Sequence, residues 1–404
     1  MSGGTRGGTQ ERARGGMGGE TYERARGLRV ASAAVDEAVL DAARGRRGFV
    51  VSLGDGAGRT GIGEAAPLPG FSREDAESCA RALGMAVEAL RGAGELGETA
   101  APGSEGAGLS QGTAGSVVAV VRGALVPVAA VLDGVPSARF ALETALLDLL
   151  GQRVGLSIAA CLGGARPYAE VPVNGLAVAA DGAAALVKTA QALVGRGVRC
   201  LKVKMRGRDE AAFAAEVEAL AVLRREVEVP EGLELRLDAN GAWTEDEARR
   251  RLSPGSPLGP LGVRFVEQPV APELLDRLGP CAVPWAADES LGLEGMAERV
   301  CVAGGCAAFV LKPAALGLLR AHALGVMAQE KGIAVVVTHF MDGPIGLAAA
   351  CELALGLPRA PLACGLDAHA GLAAWPAREV PQRRGEAVVA GTGRAGLGMA
   401  PWTG

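Results

Sequence analysis

Histidine and clustered cysteine, on which most zinc sites and nucleophilic triads depend, are scarce in this sequence. Only three histidines occur in 404 residues, namely His322, His339 and His369, so a zinc site or a Ser–His triad is poorly supported. The eight cysteines are scattered and include no C-x-x-C pair. We therefore expect reduced thiols, as in a reducing compartment, and no disulfide framework.

Runs of positive charge and long apolar segments are also missing. The 41 lysines and arginines face 45 acidic residues, which gives a net charge of −4, and no basic run or aromatic-basic patch appears. The Gly- and Arg-rich residues 1–27 lack the apolar core of a signal peptide. The most apolar stretch, residues 117–132, is broken by Arg122 and Pro127. We expect a cytoplasmic protein that binds neither nucleic acid nor a membrane.

The amino-terminal third contains short β-type runs, one predicted helix and segments of low complexity. We predict a disordered leader at residues 1–27 and strands in "LRVASAAV" and "GFVVSL". Ser72, which is followed by two acidic residues, is typical of a helix start. Residues 92–115 are rich in Gly, Ala, Ser and Glu, a composition that cannot form a core, so we predict a flexible insertion there.

From about residue 137 onward, β-type runs alternate with helical stretches. The runs are "VPVNGLAV" (171–178), "CLKVK" (200–204), "LELRLDAN" (233–240), "VRFVEQP" (263–269), "PWAADES" (284–290), "AAFVLKP" (307–313), "AVVVTHF" (334–340) and a weaker "LACGLD" (362–367). Such alternation indicates parallel βα units, and seven or eight in a row favour a closed α/β barrel. An open doubly wound sheet is the alternative.

Polar residues end most of these runs, at the positions that face the active-site mouth of a βα barrel. Side chains alternate along a strand, so the two lysines of "LKVKM" share one face. The polar residues at the strand ends are, in chain order, Lys202, Lys204, Arg236, Asp238, Asn240, Glu267, Asp288, Glu289 and Lys312. Acids on three consecutive strands, with lysines on the strands to either side, predict a charged cavity.

Three carboxylates that converge in a barrel mouth need a counter-charge, because they repel one another strongly. A hard divalent cation with oxygen ligands, Mg²⁺ above all, would supply it. A lysine beside a metal and a second ammonium can act as a base, since its charged form is disfavoured. The predicted chemistry is therefore proton abstraction next to a carboxylate. The alternative is a barrel whose mouth charges only pair with one another.

Three other features were considered as sites and given ordinary structural interpretations. "GAGRTG" (56–61) fits a dinucleotide motif, but prolines follow where a helix should begin, so we predict a hairpin turn. "GLSQG" (108–112) lies in the predicted insertion and is no nucleophile elbow. His339 ends the seventh run, and we favour a side chain that faces the helices over one that lines the mouth.

Taken together, the strand-end motifs resemble the muconate-lactonizing branch of the enolase superfamily. The motifs are the K-x-K of Lys202 and Lys204, "RLDANGAW", "FVEQP", "ADES" and "VLKPAALG". Within that branch, "GIGEAAPLPGFS" (61–72) and "LRLDANGAWT" (235–244) are similar to the o-succinylbenzoate synthase family. The match runs in the same order from about residue 28 to 375.

The resemblance implies a modified TIM barrel, (β/α)7β, with an α+β capping domain. The cap would comprise residues 28–136, including the insertion, and the catalytic barrel residues 137–375. Residues 376–404 would form a C-terminal segment that partly returns to the cap and ends in poorly ordered chain.

The resemblance also implies the roles of the site residues. Asp238, Glu267 and Asp288 would bind Mg²⁺, with Mn²⁺ as a substitute, and Asp288 is chosen over Glu289. Lys204 would be the base with Lys202 beside it, and Lys312 the cation across the ring. Candidate residues for substrate binding or for support of the site are Arg236, Asn240, Phe71, Ser72, Thr338 and Gly343. Phe71 and Ser72 belong to a "PLPGFS" loop that would close over the substrate. The seventh strand, "THFMDGPIG", departs from the family's serine-rich stretch.

The implied reaction is a magnesium-dependent syn dehydration in menaquinone biosynthesis. It would convert 2-succinyl-6-hydroxy-2,4-cyclohexadiene-1-carboxylate, a small-molecule carboxylate, to o-succinylbenzoate through an enediolate. An N-acylamino acid racemase or dipeptide epimerase of the same branch would keep every residue of this set, because a 1,1-proton transfer also needs two opposed lysines. A catalytically silent barrel that acts as a binding protein is the remaining alternative. Oligomeric state is not predicted.

Overall fold

A computed structural model of the chain describes residues 23–41, 46–96, 113–164, 170–229, 232–375, 381–389 and 393–402. A three-stranded antiparallel sheet forms the first part, in the order β1 (Ser32–Asp41), β2 (Arg46–Gly54) and β3 (Thr60–Ala65). Gly54 pairs with Thr60 across the turn between β2 and β3. The prediction of a hairpin turn at "GAGRTG" is therefore confirmed. Two helices follow the sheet, α1 (Ala76–Gly92) and α2 (Thr113–Leu125).

Seven parallel strands follow one another in chain order as a curled sheet. After the short β4 (Glu170–Pro172) they are β5 (Gly175–Val178), β6 (Cys200–Lys204), β7 (Glu234–Asp238), β8 (Val263–Glu267), β9 (Trp285–Ala287), β10 (Cys306–Leu311) and β11 (Ala334–Val337). Parallel bridges from Thr338 to Gly365 and from Val173 to Cys364 close the ring through the weak eighth run. The predicted barrel is confirmed, and the open sheet is excluded.

Helices surround this barrel, as βα connections require. They are α3 (Pro136–Val154), α4 (Ile158–Cys161), α5 (Ala183–Gly195), α6 (Glu210–Glu226), α7 (Glu245–Arg251), α8 (Met296–Ala303), α9 (Pro313–Leu316), α10 (Leu318–Glu330) and α11 (Pro344–Gly356). The barrel interior has its own small apolar cluster, in which Phe265, Ala286, Ala308, Val310 and Val336 pack together. This plug fills the barrel below the mouth, so the polar strand ends lie above a floor of apolar side chains.

Helix α3 connects the cap sheet to the barrel helices through two buried carboxylates. Asp148 accepts the backbone N–H of Ile62 on β3 at 2.9 Å, and Glu143 accepts that of Leu319 on α10 at 2.9 Å. Burial raises the pKa of Asp148 to about 6 and that of Glu143 to about 7. The helix predicted to open the barrel domain therefore packs against the cap as well as against the barrel helices.

Strand β3 lies directly on α3 because two of its residues are glycines. A Cβ at Gly61 would stand 2.1 Å from the carbonyl oxygen of Ala145, and one at Gly63 would stand 1.9 Å from that of Ala141. Ala141 and Ala145 are one helical turn apart, so the two glycines follow the same helix face. The "GIGEA" segment is therefore a close-packed contact between cap and barrel.

We expect Gly63→Ala to destabilise the protein by about 3 kcal/mol, near the upper end of the usual cost of overpacking. The methyl group would meet backbone atoms of α3, which cannot move aside as a flexible side chain could. Thermal unfolding followed by circular dichroism measures the effect. Gly84→Ala in α1 is the matched control, because its Cβ would have no neighbour within 4 Å. We expect that variant to melt at or slightly above the wild-type temperature. Equal melting of the Gly63→Ala variant and wild type would contradict the close contact.

Three predicted boundaries need correction. Residues 1–22 of the predicted leader lie outside the described residues, but residues 23–25 form a helical turn in which Ala25 is fully buried. The predicted insertion at 92–115 ends too late, because α2 begins at Thr113, and residues 97–112, which contain "GLSQG", lie outside the described residues. Helix α1 is capped by Asp75, not begun at Ser72, since the Asp75 side chain accepts the Ser78 N–H.

The C-terminal segment is ordered where the structure describes it. Strands β12 (Gln382–Arg384) and β13 (Ala387–Val389) add to β4 as an antiparallel sheet. Farther on, Leu397 is buried and donates its N–H to Asp148 at 2.7 Å. The expectation of a poorly ordered end is wrong for residues 393–402, while 376–380, 390–392 and 403–404 lie outside the described residues.

Two further sequence-based expectations concern the thiols and the membrane. All eight cysteines are free, as predicted, and five of them are buried. Within the described ranges, no helix is both long enough and apolar enough to cross a membrane.

Candidate active site

The lysines of β6 point into the barrel mouth, as strand alternation predicts. Lys202 Nζ lies 2.5 Å from Glu267 Oε1 and 2.9 Å from Asp238 Oδ2. Lys204 follows Lys202 by two residues and ends the strand, nearer the opening of the barrel. Its Nζ donates to Asn240 Oδ1 at 2.8 Å and lies 3.3 Å from Asp238 Oδ2. The Lys204 side chain is 32% exposed and that of Lys202 is 16% exposed. Lys204 is thus the more accessible of the two amines.

The three predicted metal ligands end adjacent strands and are all buried. Asp238 ends β7, Glu267 ends β8, and Asp288 follows β9. Asp238 is paired with Glu267 in the sheet register, so their side chains lie side by side. Asp288 contacts the ammonium group of Lys312, which follows β10 on the far side of the mouth. The structure therefore brings together all six of the predicted catalytic and metal-ligating residues.

The electrostatics of this cluster follow from burial and opposite charge. Burial alone would lower the pKa of Lys202, but Glu267, Asp238 and Asp288 raise it above its usual value. Burial would also lower the pKa of Lys312, but the surrounding carboxylates, chiefly that of Asp288, raise it above its usual value. Burial would raise the pKa of Asp238, yet the ammonium groups of Lys202 and Lys204 hold it below the usual range. Lys202, Lys312 and Asp238 are therefore charged at neutral pH.

Asp288 and its neighbour Glu289 differ in environment. Asp288 is buried, and burial raises its pKa well above the usual value despite the contact with Lys312. Glu289 has a side chain that is 38% exposed, lies 3.5 Å from Lys312 and accepts a hydrogen bond from Asn240 Nδ2 at 3.4 Å. Asp288 lies among the other acids, and Glu289 lies at the rim.

Arg236 and Asn240 take different supporting positions. Arg236 lies beneath the mouth, where its guanidinium donates to Glu234 and to the carbonyl of Ala363 at 2.6 Å and covers the Phe265 ring. It therefore ties the third barrel strand to the eighth. Asn240 lies at the rim, where it contacts both Lys204 and Glu289.

The predicted lid is a tight turn between Pro67 and Ser72. The Ser72 hydroxyl accepts the N–H of Leu68 at 2.8 Å, so it stabilises the turn itself. Phe71 projects into solvent with 70% of its surface exposed. Next to the lid, Arg73 donates to the carbonyl of Gly292 at 2.6 Å, in the turn that follows Asp288. The lid is therefore anchored beside the site, and Phe71 is its free side chain.

The residues of the seventh strand end are arranged differently from the prediction. Thr338 donates its hydroxyl hydrogen to the backbone carbonyls of Gly365 and His339. Gly343 donates its N–H to Glu64 of β3 at 2.5 Å, and a Cβ there would collide with Trp375. Neither residue offers a free polar side chain to a substrate. His339, expected to face the helices, lies near the mouth instead, because Lys202 and Lys312 both lower the pKa of its ring and the adjacent Phe340 ring lies 5.7 Å from Lys312 Nζ.

The donor set fits Mg²⁺ by its chemistry, since three carboxylates provide the hard oxygen ligands that this ion prefers. Asp238 Oδ2 is buried and accepts no well-aligned hydrogen bond, although two ammonium nitrogens lie within 3.3 Å. Within the described ranges, no three acidic, histidine or cysteine side chains lie close enough together to hold a metal ion in their present conformations. The lysine contacts explain this spacing, because Asp238 and Glu267 both turn toward Lys202.

Sequence analysis missed Gln268, a buried residue that positions Asp288. Its side-chain oxygen accepts the N–H of Asp288 at 3.1 Å, and its amide donates to Ser290 at 2.7 Å. Gln268 is also one of three non-glycine residues with positive φ in the described ranges, together with Asn240 and Met341. Each of the three follows a barrel strand at the mouth. Such backbone conformations concentrate at functional sites, and of these three residue types only asparagine is enriched in them, so the sequence does not signal Gln268 or Met341.

Two sequence families match the chain. The family described as enolase C-terminal domain-like matches residues 185–402, and the one described as MenC, N-terminal domain, matches residues 37–114. The curated o-succinylbenzoate synthase of Thermobifida fusca is 38% identical over 213 residues, which cover 52% of this chain and 63% of that relative. The o-succinylbenzoate synthase of Desulfotalea psychrophila is 31% identical over 329 residues, which cover 76% of this chain and 83% of that relative.

Other relatives carry different names. A chloromuconate cycloisomerase, a D-Ala-D/L-Ala epimerase and an L-Ala-D/L-Glu epimerase are 28 to 31% identical to this chain. Among solved structures, muconate cycloisomerase from Pseudomonas fluorescens superposes with a TM-score of 0.71 at 22% identity, over 92% of this chain and 96% of that one. This likeness supports the barrel with its cap as the shared fold.

Proposed function

Because this chain belongs to the enolase superfamily and carries a MenC-type N-terminal domain, we propose that it catalyses the o-succinylbenzoate synthase reaction. The substrate would be 2-succinyl-6-hydroxy-2,4-cyclohexadiene-1-carboxylate, and the products o-succinylbenzoate and water, in menaquinone biosynthesis. The two o-succinylbenzoate synthases described above support this choice.

We assign the proton transfers to Lys204. As a neutral amine it would take the proton from the carbon next to the ring carboxylate. It would then return that proton to the departing hydroxyl on the same face, so that one base serves both halves of a syn elimination. The ring becomes aromatic as water leaves, which favours the forward reaction.

The other two lysines provide fixed positive charge. Lys312 lies across the mouth from β6 and would stabilise the negative charge that develops on the substrate carboxylate. Lys202 is held by Glu267 and Asp238 below Lys204, where it keeps these carboxylates in place. Asp238, Glu267 and Asp288 would hold Mg²⁺. The bound ion would add positive charge beside the substrate carboxylate and make the neighbouring C–H more acidic.

The observation that carries the assignment is the difference in hydrogen-bond partners among the three amines. Lys202 and Lys312 donate to carboxylates, with side chains 16% exposed. Lys204 donates to the neutral amide of Asn240, has its nearest carboxylate oxygen, Asp238 Oδ2, farther away at 3.3 Å, and is twice as exposed. A base must reach the substrate, and Lys204 is the most accessible of the three amines and the one whose nearest carboxylate is farthest away.

A racemase or dipeptide epimerase is the second candidate function. Relatives with epimerase names support it, and amines from β6 and from the end of β10 lie on opposite sides of the mouth. The catalytic set is the same in both reactions, so substrate selection decides between them.

The deciding experiment is an assay of the purified protein with Mg²⁺ and each substrate. We expect formation of o-succinylbenzoate from the cyclohexadiene, followed by its ultraviolet absorbance, and much slower racemisation of N-succinylamino acids followed by polarimetry. Rapid racemisation without dehydration would replace the proposed reaction with the second candidate. Absence of both activities would count against either enzyme.

A further inference from the structure

One polar group of the barrel mouth has no role in the proposed reaction, the imidazole of His339. Its Nδ1 accepts the N–H of Met341 at 3.1 Å, so the ring hydrogen is on Nε2. In the part of the chain that the structure describes, Nε2 meets no acceptor. The residue is only partly buried, so the ring is not sealed inside the core.

The backbone around His339 is held in an unusual conformation that fixes this ring. Met341 has φ +58°, the left-handed region that non-glycine residues rarely adopt. Among the described residues, the other two non-glycine positions with positive φ are Asn240 and Gln268, which adjoin the proposed metal ligands. Arg46 of the cap donates to the Met341 carbonyl at 2.5 Å and secures the turn. The strained backbone at Met341 therefore fixes the orientation of the His339 ring.

A second imidazole fixes the ring from its face. The rings of His339 and His369 stack with centroids 4.3 Å apart and a tilt of 31°. His369 Nε2 donates in turn to the Asp342 carbonyl at 2.8 Å. Two positive charges at this distance would repel each other, so the two stacked rings are not both protonated.

The charges around His339 also favour the neutral ring. Burial lowers the pKa of His339 to about 3, and His369, Lys202 and Lys312 act in the same direction. A neutral imidazole with hydrogen on Nε2 is a hydrogen-bond donor to a ligand, and it takes no part in proton transfer at neutral pH.

We propose that His339 binds the succinyl side chain of the substrate by donating its Nε2–H to an oxygen of that chain. The acids that would hold Mg²⁺, and through it the ring carboxylate, lie at the ends of β7 to β9, and the reacting carbon would lie between Lys204 and Lys312. Strand β11 lies across the barrel from β7, so the remote part of the ligand extends toward it. Thr338 and Gly343, the sequence candidates there, are bonded elsewhere. This inference rests on the proposed function.

The test compares His339→Phe with His339→Gln. Phenylalanine keeps a ring to stack on His369 and lacks the donor, while glutamine restores an N–H near the same place. Calorimetry with Mg²⁺ measures binding of o-succinylbenzoate and of benzoate, which lacks the succinyl chain. Losing one donor to a charged oxygen should weaken o-succinylbenzoate binding and raise KM by about 10- to 100-fold in His339→Phe. We expect kcat and benzoate binding to stay near wild type, and glutamine to recover most of the loss.

Two results would overturn the proposal. Unchanged o-succinylbenzoate affinity and KM in His339→Phe would show that the donor contacts no ligand. Equal weakening of benzoate would show that the substitution disturbs the whole mouth. If the wild type racemises N-succinylamino acids and does not dehydrate, the proposed reaction fails separately. The same two variants then decide the role of His339 through the KM of racemisation, because that substrate also carries a succinyl chain.

Discussion

Replacing Lys204 with alanine is expected to lower kcat for dehydration by about a thousandfold or more, within the range by which general acid–base catalysis accelerates reactions. The variant should stay folded, because the Lys204 side chain is about one-third exposed and its truncation leaves no fully buried cavity. It should also still bind Mg²⁺, since Asp238, Glu267 and Asp288 are untouched. Steady-state kinetics and calorimetric titration with Mg²⁺ measure the two effects on one preparation.

Two matched variants separate loss of the base from loss of a positive charge. Lys204→Arg keeps the charge but cannot release a proton near neutral pH, so it should be as inactive as the alanine variant. Lys188→Ala removes an exposed lysine of α5 and should leave kcat unchanged. Substantial turnover by Lys204→Arg would transfer the role of base to another group, with Lys312 the next candidate.

The positions of the candidate catalytic side chains could be predicted because a parallel barrel places the ends of its strands at one mouth. The sheet register shows the rule at work, as Lys204 pairs with Asp238 and Asp238 with Glu267. Which side chains share a face of a strand, and the order in which the strands follow one another, can both be read directly from the sequence. The choice of Asp288 over Glu289 was not of this kind, since it depended on resemblance.

Contacts between distant segments could not be predicted in the same way. Glu64 of the cap accepts the N–H groups of Gly343, Ile345 and Gly346 at the start of α11, nearly 280 residues later. Nothing near Glu64 in the sequence distinguishes it from an exposed strand residue. The same holds for His339, whose orientation depends on the turn at Met341 and on the stack with His369.

One compositional signal could have strengthened the prediction of the site. Lysine occurs at only five positions in this chain, and the other basic residues are arginines. Three of the five are Lys202, Lys204 and Lys312, so the barrel mouth contains most of the lysine in the protein. Arginine stays protonated at any pH that a protein tolerates, while lysine can act as a base when its surroundings allow. The scarcity of lysine elsewhere therefore singles out the mouth as the candidate place for the proton transfer of the proposed reaction.

The second large effect is expected from Asp238→Asn, which should weaken Mg²⁺ binding by about a hundredfold or more. Even partners outside the ligand shell typically change metal affinity by about 10- to 100-fold, and a direct ligand should change it at least as much. Asp238 is fully buried, and its Oδ2 accepts no well-aligned hydrogen bond. The substitution keeps the shape of the side chain and removes its charge. Calorimetric titration with Mg²⁺ measures the affinity, and circular dichroism checks that the variant is folded.

Glu289→Gln is the matched control, since it removes one negative charge from the rim of the same mouth. Glu289 lies 3.5 Å from Lys312 but is more than one-third exposed, apart from the three buried acids. If charge density alone attracts the cation, the two variants should lose similar affinity. If Asp238 is a ligand, Asp238→Asn should lose far more than Glu289→Gln, and higher Mg²⁺ concentrations should restore only part of its activity. Unchanged Mg²⁺ affinity in Asp238→Asn would remove Asp238 from the metal site, and with it the argument that the acids of β7 to β9 act together.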